Sequence, residues 1–176
     1  VRLQYLPYEQ LPQHFTAGFF DRIVSVGMFE HVGEANYRKY FSICAQMLND
    51  SGLFVLHTII GEGGTSGVNG WIDKYIFPGG QIPLVLQVDW ARWPHFRVLE
   101  DFHNLGPDYA KTLAAWWANY RAAWGNGPTD AVDMTEYLMQ QFYLQGCEGN
   151  FAARCLGVGQ FVFSKHGTLG GYISVR

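Results

Sequence analysis

Carboxylate, imidazole and phenol side chains lie near or shortly after the ends of three expected strands of this sequence. Glu30 comes three residues after the segment Asp21–Gly27, and His57 lies near the end of a second apolar segment, Leu53–Ile60. Tyr109 follows a third candidate strand, His95–His103. Because ligands of open parallel sheets bind at the carboxyl ends of the strands, we expect these three side chains to meet at one rim. Such a set beside apolar residues is typical of an acid–base or anion-binding site.

Two further residues, Glu100 and His103, lie close enough to a strand end to join the same rim. Structural interpretations compete with these functional ones. His57 is also typical of a hydrogen-bonded core histidine, and Glu30 of a carboxylate at the positive end of the following helix. A metal site built from Glu30, His31, His57 and His103 lacks tight ligand spacing, so we expect no metal.

Hydrophobic periodicity predicts the elements that carry these residues. Apolar residues at i, i+3, i+4 and i+7 from Tyr37 to Leu48 indicate an amphipathic helix, ended by a turn at 49–52. With the strands Asp21–Gly27 and Leu53–Ile60, this helix forms a right-handed βαβ unit, whose strands we expect to be parallel and covered on both faces. Further expected elements are strands at 1–5, 95–103 and 157–164, helices at 71–77 and 129–145, and an aromatic helix around 113–124 with Asp108 as its N-cap. The Gly-rich segment 61–70 is expected to be a flexible connection or lid.

The composition favours one packed domain and excludes several classes of protein. The chain has 176 residues, with 12 Lys and Arg against 15 Asp and Glu, a balance that argues against nonspecific nucleic-acid binding. Charged residues make up 15% and aromatic residues 16%, which excludes disorder and favours an apolar interior or an apolar ligand. The three cysteines, Cys44, Cys147 and Cys155, form no CxxC pair, so we expect a reducing, cytoplasmic compartment. No apolar run approaches the ~20 residues of a membrane span, and a start at Val1 without Met suggests a fragment.

Four sequence blocks carry a family resemblance. They are FDRIVSVGMFEHVG at 20–33, LHTI at 56–59, WIDKYIFPGG at 71–80 and EDFHNLGPDY at 100–109. In this order they resemble the cyclopropane-fatty-acyl-phospholipid synthase family, over roughly residues 1–165. The resemblance implies an α/β fold, the Rossmann-like sheet of class I S-adenosylmethionine methyltransferases, incomplete in its N-terminal half and with extra helices forming a lipid-binding lid. It implies a partial catalytic domain at 1–166 and a loosely ordered tail at 167–176.

The same resemblance implies an activity. The family transfers a methylene group from S-adenosylmethionine to the cis double bond of a phospholipid acyl chain and closes a cyclopropane ring, with bound bicarbonate as the general base. Glu30, His57, the backbone of Ile59 and Tyr109 match its bicarbonate site. In that site Glu30 accepts the bicarbonate proton, while His57 and Tyr109 donate hydrogen bonds to the bicarbonate oxygens. Glu100 and His103 stay secondary candidates.

Contacts with the cofactor and the substrate are implied as well. The cofactor contacts are Pro7, Tyr8, Glu9, Val26 and Gly27, and the acyl chain is expected to contact Tyr75, Ile76 and Phe77. The family's glycine-rich cofactor loop and an upstream cysteine of its bicarbonate site are absent from this chain, and Pro7 stands where many relatives have Asp. We therefore expect the 176-residue chain alone to be inactive.

The implied partners are membrane phospholipid, reached by peripheral contact at the inner face of the membrane, and a second copy of the chain. Two alternatives stay open. One is a related lipid C-methyltransferase that adds a methyl group without closing a ring. The other is a non-catalytic lipid-binding or partner subunit of the same fold. The mass and unsaturation of the product distinguish the first alternative from a cyclopropane synthase. The true start of the natural protein distinguishes the second alternative from an enzyme.

Overall fold

A computed structural model describes residue 1 and residues 3–62, 67–125 and 131–174, with side chains from residue 134 onward in the last range. Four strands form one sheet in the order β1-β2-β4-β3. They are β1 (Phe20–Val26), β2 (Leu48–Gly61), β3 (Val98–Asn104) and β4 (Leu156–Ser164). β1 and β2 are parallel, whereas β4 is antiparallel to both of its neighbours, β2 and β3. β1, β2 and β3 therefore run in one direction, and their carboxyl ends share one edge of the sheet.

Helices cover both faces of this sheet. They are α1 (Leu11–His14), α2 (Tyr37–Met47), α3 (Gly70–Tyr75), α4 (Val85–Arg92), α5 (Gly106–Ala123) and α6 (Ala131–Ala152), with short 3-10 turns at Tyr8–Gln10, Phe29–His31 and Glu34–Asn36. α2 connects the parallel strands β1 and β2, so the predicted βαβ unit and the α/β fold class are confirmed. None of the described helices is both long enough and apolar enough to cross a membrane.

Two apolar clusters lie on opposite faces of the sheet. The period of two along β2 buries Phe54, Leu56 and Ile60 on the face that also carries α2 and α4. The second cluster joins α5, α6 and β4 through Leu113, Trp117, Leu144, Phe151 and Val158. Because His57 and Ile59 alternate with the residues of the first cluster, they face the side of α5 and α6.

Two strand predictions need correction. Residues 1 and 3–5 form no strand, and the side chains of Val1, Leu3 and Tyr5 are fully or almost fully exposed, because no described strand lies beside them. β1 is present but is not covered on both faces: Val24 is 66% and Val26 65% exposed. β2 is the only described strand that pairs with β1, so β1 is an edge strand here.

Several element boundaries also differ from the predictions. β2 begins at Leu48, directly after α2, so the residues of the expected turn at 49–52 belong to the strand. α5 begins at Gly106, which places Asp108 in its first turn and Leu105 at the N-cap position. α4 has no counterpart among the predicted elements, and α6 continues to Ala152. The expected lid at 61–70 lies partly outside the described residues, and the expected helix start at 129–130 lies wholly outside them. Residues 167–174 form no helix or strand.

Candidate active site

A cavity of about 690 Å³ opens at the carboxyl ends of β1 and β2. Its size is typical of a site for a small molecule or cofactor. Much of the wall is apolar, with Ile72, Phe77, Ile82, Leu113, Phe151 and Val158 among its residues. The polar groups of the wall include Glu30, His57, Tyr109, Tyr143, Cys147 and Asn150. Glu30, His57, Ile59 and Tyr109 thus share one cavity.

Glu30 is held in this cavity by the loop that follows β1. Gly27 has φ +61°, a conformation that favours glycine, and its N–H donates to the carbonyl of His57 at 3.0 Å. The next turn, Phe29–His31, buries the Glu30 side chain to 8% exposure. Oε1 of Glu30 accepts a hydrogen bond from the N–H of Ile59 at 2.6 Å. Oε2 is buried as well but accepts no hydrogen bond from any described residue. A buried carboxylate oxygen without a donor is costly, so this atom suits a bound ligand that supplies one.

His57 and Tyr109 reach the cavity from different elements. His57 lies opposite Val26 in the β1–β2 register and is half-buried. Tyr109 lies in the first turn of α5, where its ring packs edge-to-face on Phe151 with centroids 4.9 Å apart. Burial, together with the neighbouring Cys147 and Glu30, raises the pKa of Tyr109. The phenol is therefore protonated at neutral pH and can donate a hydrogen bond.

One face of α6 supplies polar groups that the sequence reasoning missed. Tyr143, Cys147 and Phe151 follow one another at intervals of four residues, so they share a helical face, and all three line the cavity. Burial, with smaller contributions from Cys147 and Tyr109, raises the pKa of Tyr143 to about 12. Burial raises the pKa of Cys147 to about 11. The spacing of four residues places Tyr143 and Cys147 on one face of α6, but it does not indicate that this face covers the cavity.

The segment around residues 75–82 contributes one of the expected acyl-chain residues and three others. Phe77 lines the cavity together with Gly80, Gln81 and Ile82. Gln81 ties this segment to the Glu30 loop, since its N–H donates to the Glu30 carbonyl at 2.8 Å and its side-chain oxygen accepts from the N–H of Glu34, also at 2.8 Å. Tyr75 and Ile76 are not part of the wall, and Tyr75 is 48% exposed beside Trp71.

Several other predicted site residues lie away from the cavity. Glu100 accepts hydrogen bonds from Ser164 and Thr168 near the opposite end of β3, and His103, paired with Gln160, does not line the cavity wall. Of the expected cofactor contacts, Val26 and Gly27 line the cavity, whereas Pro7, Tyr8 and Glu9 do not. Tyr8 instead packs against Tyr40, with ring centroids 5.3 Å apart. Among the described residues, no three His, Cys, Asp or Glu side chains are grouped so as to hold a metal ion.

Comparison with known proteins identifies the family of this chain. The model of the mycolic acid cyclopropane synthetase family matches residues 1–161. The cyclopropane-fatty-acyl-phospholipid synthase of Escherichia coli K12 is 47% identical over 148 residues, which cover 83% of this chain and 38% of that protein. The chain therefore spans less than half the length of this relative.

Solved structures agree with the sequence match. The cyclopropane synthase MmaA2 of Mycobacterium tuberculosis superposes with a TM-score of 0.73 at 28% identity, over 87% of this chain and 57% of that one. The mycolic acid cyclopropane synthase CmaA1, in complex with SAH and CTAB, gives a TM-score of 0.72 at 30% identity, over 86% of this chain and 57% of that one. The predicted class I methyltransferase sheet is confirmed, with four of its strands among the described residues. From its family match and its relatives, the chain belongs to the mycolic acid cyclopropane synthetase family.

Proposed function

We propose that this chain is part of the catalytic domain of an enzyme that transfers a methylene group from S-adenosylmethionine to the cis double bond of a phospholipid acyl chain, forming a cyclopropane ring. The observation that carries the proposal is the buried Oε2 of Glu30, which lacks a donor among the described residues and lies in one cavity with His57 and Tyr109. The family match and the 47% identity to the E. coli synthase support the choice of reaction.

The polar groups of the cavity suit bicarbonate as a bound base. Bicarbonate carries one O–H donor and several acceptor oxygens, and the cavity offers the complementary set. Oε2 of Glu30 is a free acceptor for the O–H, while the protonated Tyr109 hydroxyl and His57 are donors for the other oxygens. The N–H of Ile59 already donates to Glu30, so it orients this carboxylate instead of reaching the anion directly. Held there, bicarbonate would accept the proton that the transferred group must lose before the ring closes.

The end of β1 suits one side of a cofactor site. Val26 and Gly27 line the cavity, and no heavy atom lies within 4 Å of the position that a Gly27 Cβ would occupy. The backbone is therefore open to close approach by a ligand, which suits S-adenosylmethionine at the carboxyl end of this strand. When bound, S-adenosylmethionine supplies an electrophilic sulfonium methyl group. CmaA1, at 30% identity, is described in complex with SAH, which supports this assignment.

The apolar part of the wall suits a lipid chain. Phe77, Ile82, Leu113 and Ile72 present hydrocarbon surface beside the polar groups. Each acyl methylene buried there contributes about 0.8 kcal/mol. Because the double bond of a phospholipid lies inside a membrane leaflet, the proposal includes peripheral contact with the inner face of the membrane in the cytoplasm.

The test incubates the natural full-length protein with methyl-labelled S-adenosylmethionine and vesicles of cis-unsaturated phospholipid. We expect acyl chains that gain one labelled CH₂ and no longer react with ozone. A labelled chain that still reacts with ozone would instead show methylation without ring closure. Vesicle binding without any labelled product would favour a non-catalytic lipid-binding subunit. Depletion of dissolved CO₂ should abolish turnover, and added bicarbonate should restore it in the wild type but not in Glu30→Gln.

A further inference from the structure

A second polar cluster lies just outside the cavity, around Glu62. Glu62 is the first residue after β2, and its N–H donates to the carbonyl of Cys155 at 3.0 Å. Its carboxylate accepts hydrogen bonds from the side-chain amide of Asn104 and from Nε of Arg154, the latter at 3.1 Å. This one carboxylate therefore joins the ends of β2 and β3 to the connection between α6 and β4.

The cluster continues to Tyr109 through the start of α5. Oδ1 of Asn104 accepts a hydrogen bond from the N–H of Gly106, the first residue of α5, at 2.9 Å. Tyr109 lies three residues further, and its own N–H donates to the Leu105 carbonyl at 2.9 Å. Because Glu62 fixes the Asn104 amide, it also fixes the acceptor that holds the first turn of α5. Glu62 itself is not part of the cavity wall.

Close packing leaves the cluster little freedom. A Cβ on Gly157 would lie 2.8 Å from Oε1 of Glu62 and 2.9 Å from both polar atoms of the Asn104 side chain. The Glu62 side chain is only 20% exposed, so its charge contacts are partly shielded from water. The Glu62 carboxylate and the Asn104 amide are thus packed closely against Gly157.

The backbone conformation of Arg154 is a second, independent observation on this cluster. It has φ +60°, the left-handed conformation that favours glycine at the end of a helix. The position follows α6, yet it carries an arginine whose side chain reaches both oxygens of Glu62, at 3.1 Å and 3.4 Å. The hydrogen bonds from Arg154 to Glu62 offset the strain of this backbone conformation.

We propose that Glu62 is a positioning residue for Tyr109: through Asn104 it fixes the first turn of α5 against the end of β2, and Arg154 holds the carboxylate in place. The inference rests on the proposed function, since it assumes that the Tyr109 hydroxyl serves the reaction. Ile59, whose N–H orients Glu30, lies on β2, three residues before Glu62. The cluster therefore sets the relative position of the two groups, Glu30 and Tyr109, that are proposed to share one anion.

The first test compares Glu62→Gln with Asp50→Asn in the natural full-length protein. Glutamine keeps the size of Glu62 but presents an NH₂ group, so either Asn104 or Arg154 then faces another donor. Asp50 is the matched control, because its ion pair with Lys165, at 3.1 Å, is remote from the cavity and Asp50 is 85% exposed. We expect amide hydrogen exchange at residue 106 and residues 108–110 to become about tenfold faster in Glu62→Gln and to stay unchanged in Asp50→Asn. Unchanged exchange in Glu62→Gln would overturn the proposal.

Kinetics give a second test. Glu62→Gln should lower kcat about tenfold, with the KM for S-adenosylmethionine little changed, because misplacing a catalytic group weakens the chemical step. In a Tyr109→Phe background the same substitution should have little further effect, since both changes act on one hydroxyl. Independent, multiplying effects of the two substitutions on kcat would contradict the proposal.

Arg154→Gly separates positioning from stability. Glycine relieves the left-handed backbone, so the melting temperature should stay equal or rise, while kcat should fall. A kcat equal to the wild-type value in Arg154→Gly would remove Arg154 from the inference. The exchange measurement needs no turnover, so a full-length protein that makes no lipid product would refute the proposed function without deciding the fate of this cluster.

Discussion

The hydroxyl of Tyr109 and the carboxylate of Glu30 have opposite hydrogen-bonding roles in the cavity. A raised pKa keeps the phenol a donor, whereas Oε2 of Glu30 is an acceptor without a described donor. We expect Tyr109→Phe and His57→Ala to lower kcat by one to two decades, because a lost donor to a buried anion costs ~1.5–3 kcal/mol. The melting temperature should change far less. The measurement compares kcat with thermal unfolding for each variant.

The control for Tyr109→Phe lies on the same helix. The Tyr120 hydroxyl is buried without a hydrogen-bond partner among the described residues and is outside the cavity. Tyr120→Phe should therefore leave kcat unchanged and leave stability equal or slightly higher. If His57→Ala or Tyr109→Phe were inactive because they no longer fold, the core-residue interpretation would be the better one.

Glu100 makes stability depend on pH at a position remote from the cavity. Burial opposes its ionisation, but hydrogen bonds from Ser164 and Thr168 outweigh burial and lower the pKa of Glu100. A lowered pKa means that the contribution to stability is complete above the ordinary pKa of a carboxyl group. It is lost as the pH falls through the lowered value.

Glu100→Gln should therefore lower the free energy of unfolding by about 1 kcal/mol at neutral pH. The difference from the wild type should shrink in acid, as measured by urea unfolding over a pH series. Asp108→Asn is the control, since the ion pair of Asp108 with Lys111 is exposed on both sides and contributes little. A difference between Glu100→Gln and the wild type that does not change with pH would contradict the assignment.

At the scale of elements, glycines in α6 and β4 have opposite requirements. A Cβ on Gly146 would meet no atom within 4 Å, so Gly146→Ala in the middle of α6 should stabilise the fold by about 0.5–1 kcal/mol. Gly157→Ala would force a Cβ against Glu62 and Asn104 and should cost about 1–3 kcal/mol. The midpoints of urea unfolding of the two variants, compared with that of the wild type, test both predictions. A Gly157→Ala variant as stable as the wild type would show that the packing there is looser than described.

The sequence predicts elements well where local periodicity coincides with burial. Tyr37, Tyr40, Phe41 and Cys44 occupy one helical face, and all are buried in the structure, so α2 could be recognised from spacing alone. α4 is short, and its exposed Leu86 and Trp90 blur its apolar stripe.

Burial of a strand, by contrast, depends on which other strands lie beside it. The pattern of β1 correctly indicates a strand but cannot state its neighbours, which is why Val24 and Val26 were expected to be buried.

Some residues of the candidate site could also be predicted from the sequence, and others could not. The rule that ligands lie at the carboxyl ends of strands was enough to bring Glu30 and His57 together in the cavity. Glu100 was misplaced because a residue near the start of β3 lies at the opposite edge of the sheet. Tyr143 and Cys147 were missed because their contribution depends on how α6 is placed over the sheet, which local sequence does not encode.

At the scale of the whole molecule, the proposed site for S-adenosylmethionine has one wall among the described residues. Val26 and Gly27 line the cavity, but the outer edge of β1 has no described neighbour. An isolated 176-residue chain should therefore show no micromolar binding in titration calorimetry, because half a pocket loses most of its buried surface. The natural full-length protein is the control. Tight binding by the isolated chain would mean that the wall at Val26 is not where the cofactor lies.

The antiparallel β4 has a consequence for the order in which this sheet can be completed during synthesis. β4 leaves the ribosome after β3, α5 and α6, yet it lies between β2 and β3. Until it emerges, β3 has no ladder partner among the described strands, and β2 exposes a row of free amides and carbonyls to other nascent chains. β1, β2, β3, α5 and α6 must all be released before β4 can pair, so a ribosome stalled before Leu156 would carry an intermediate with unpaired strand edges that is prone to aggregate.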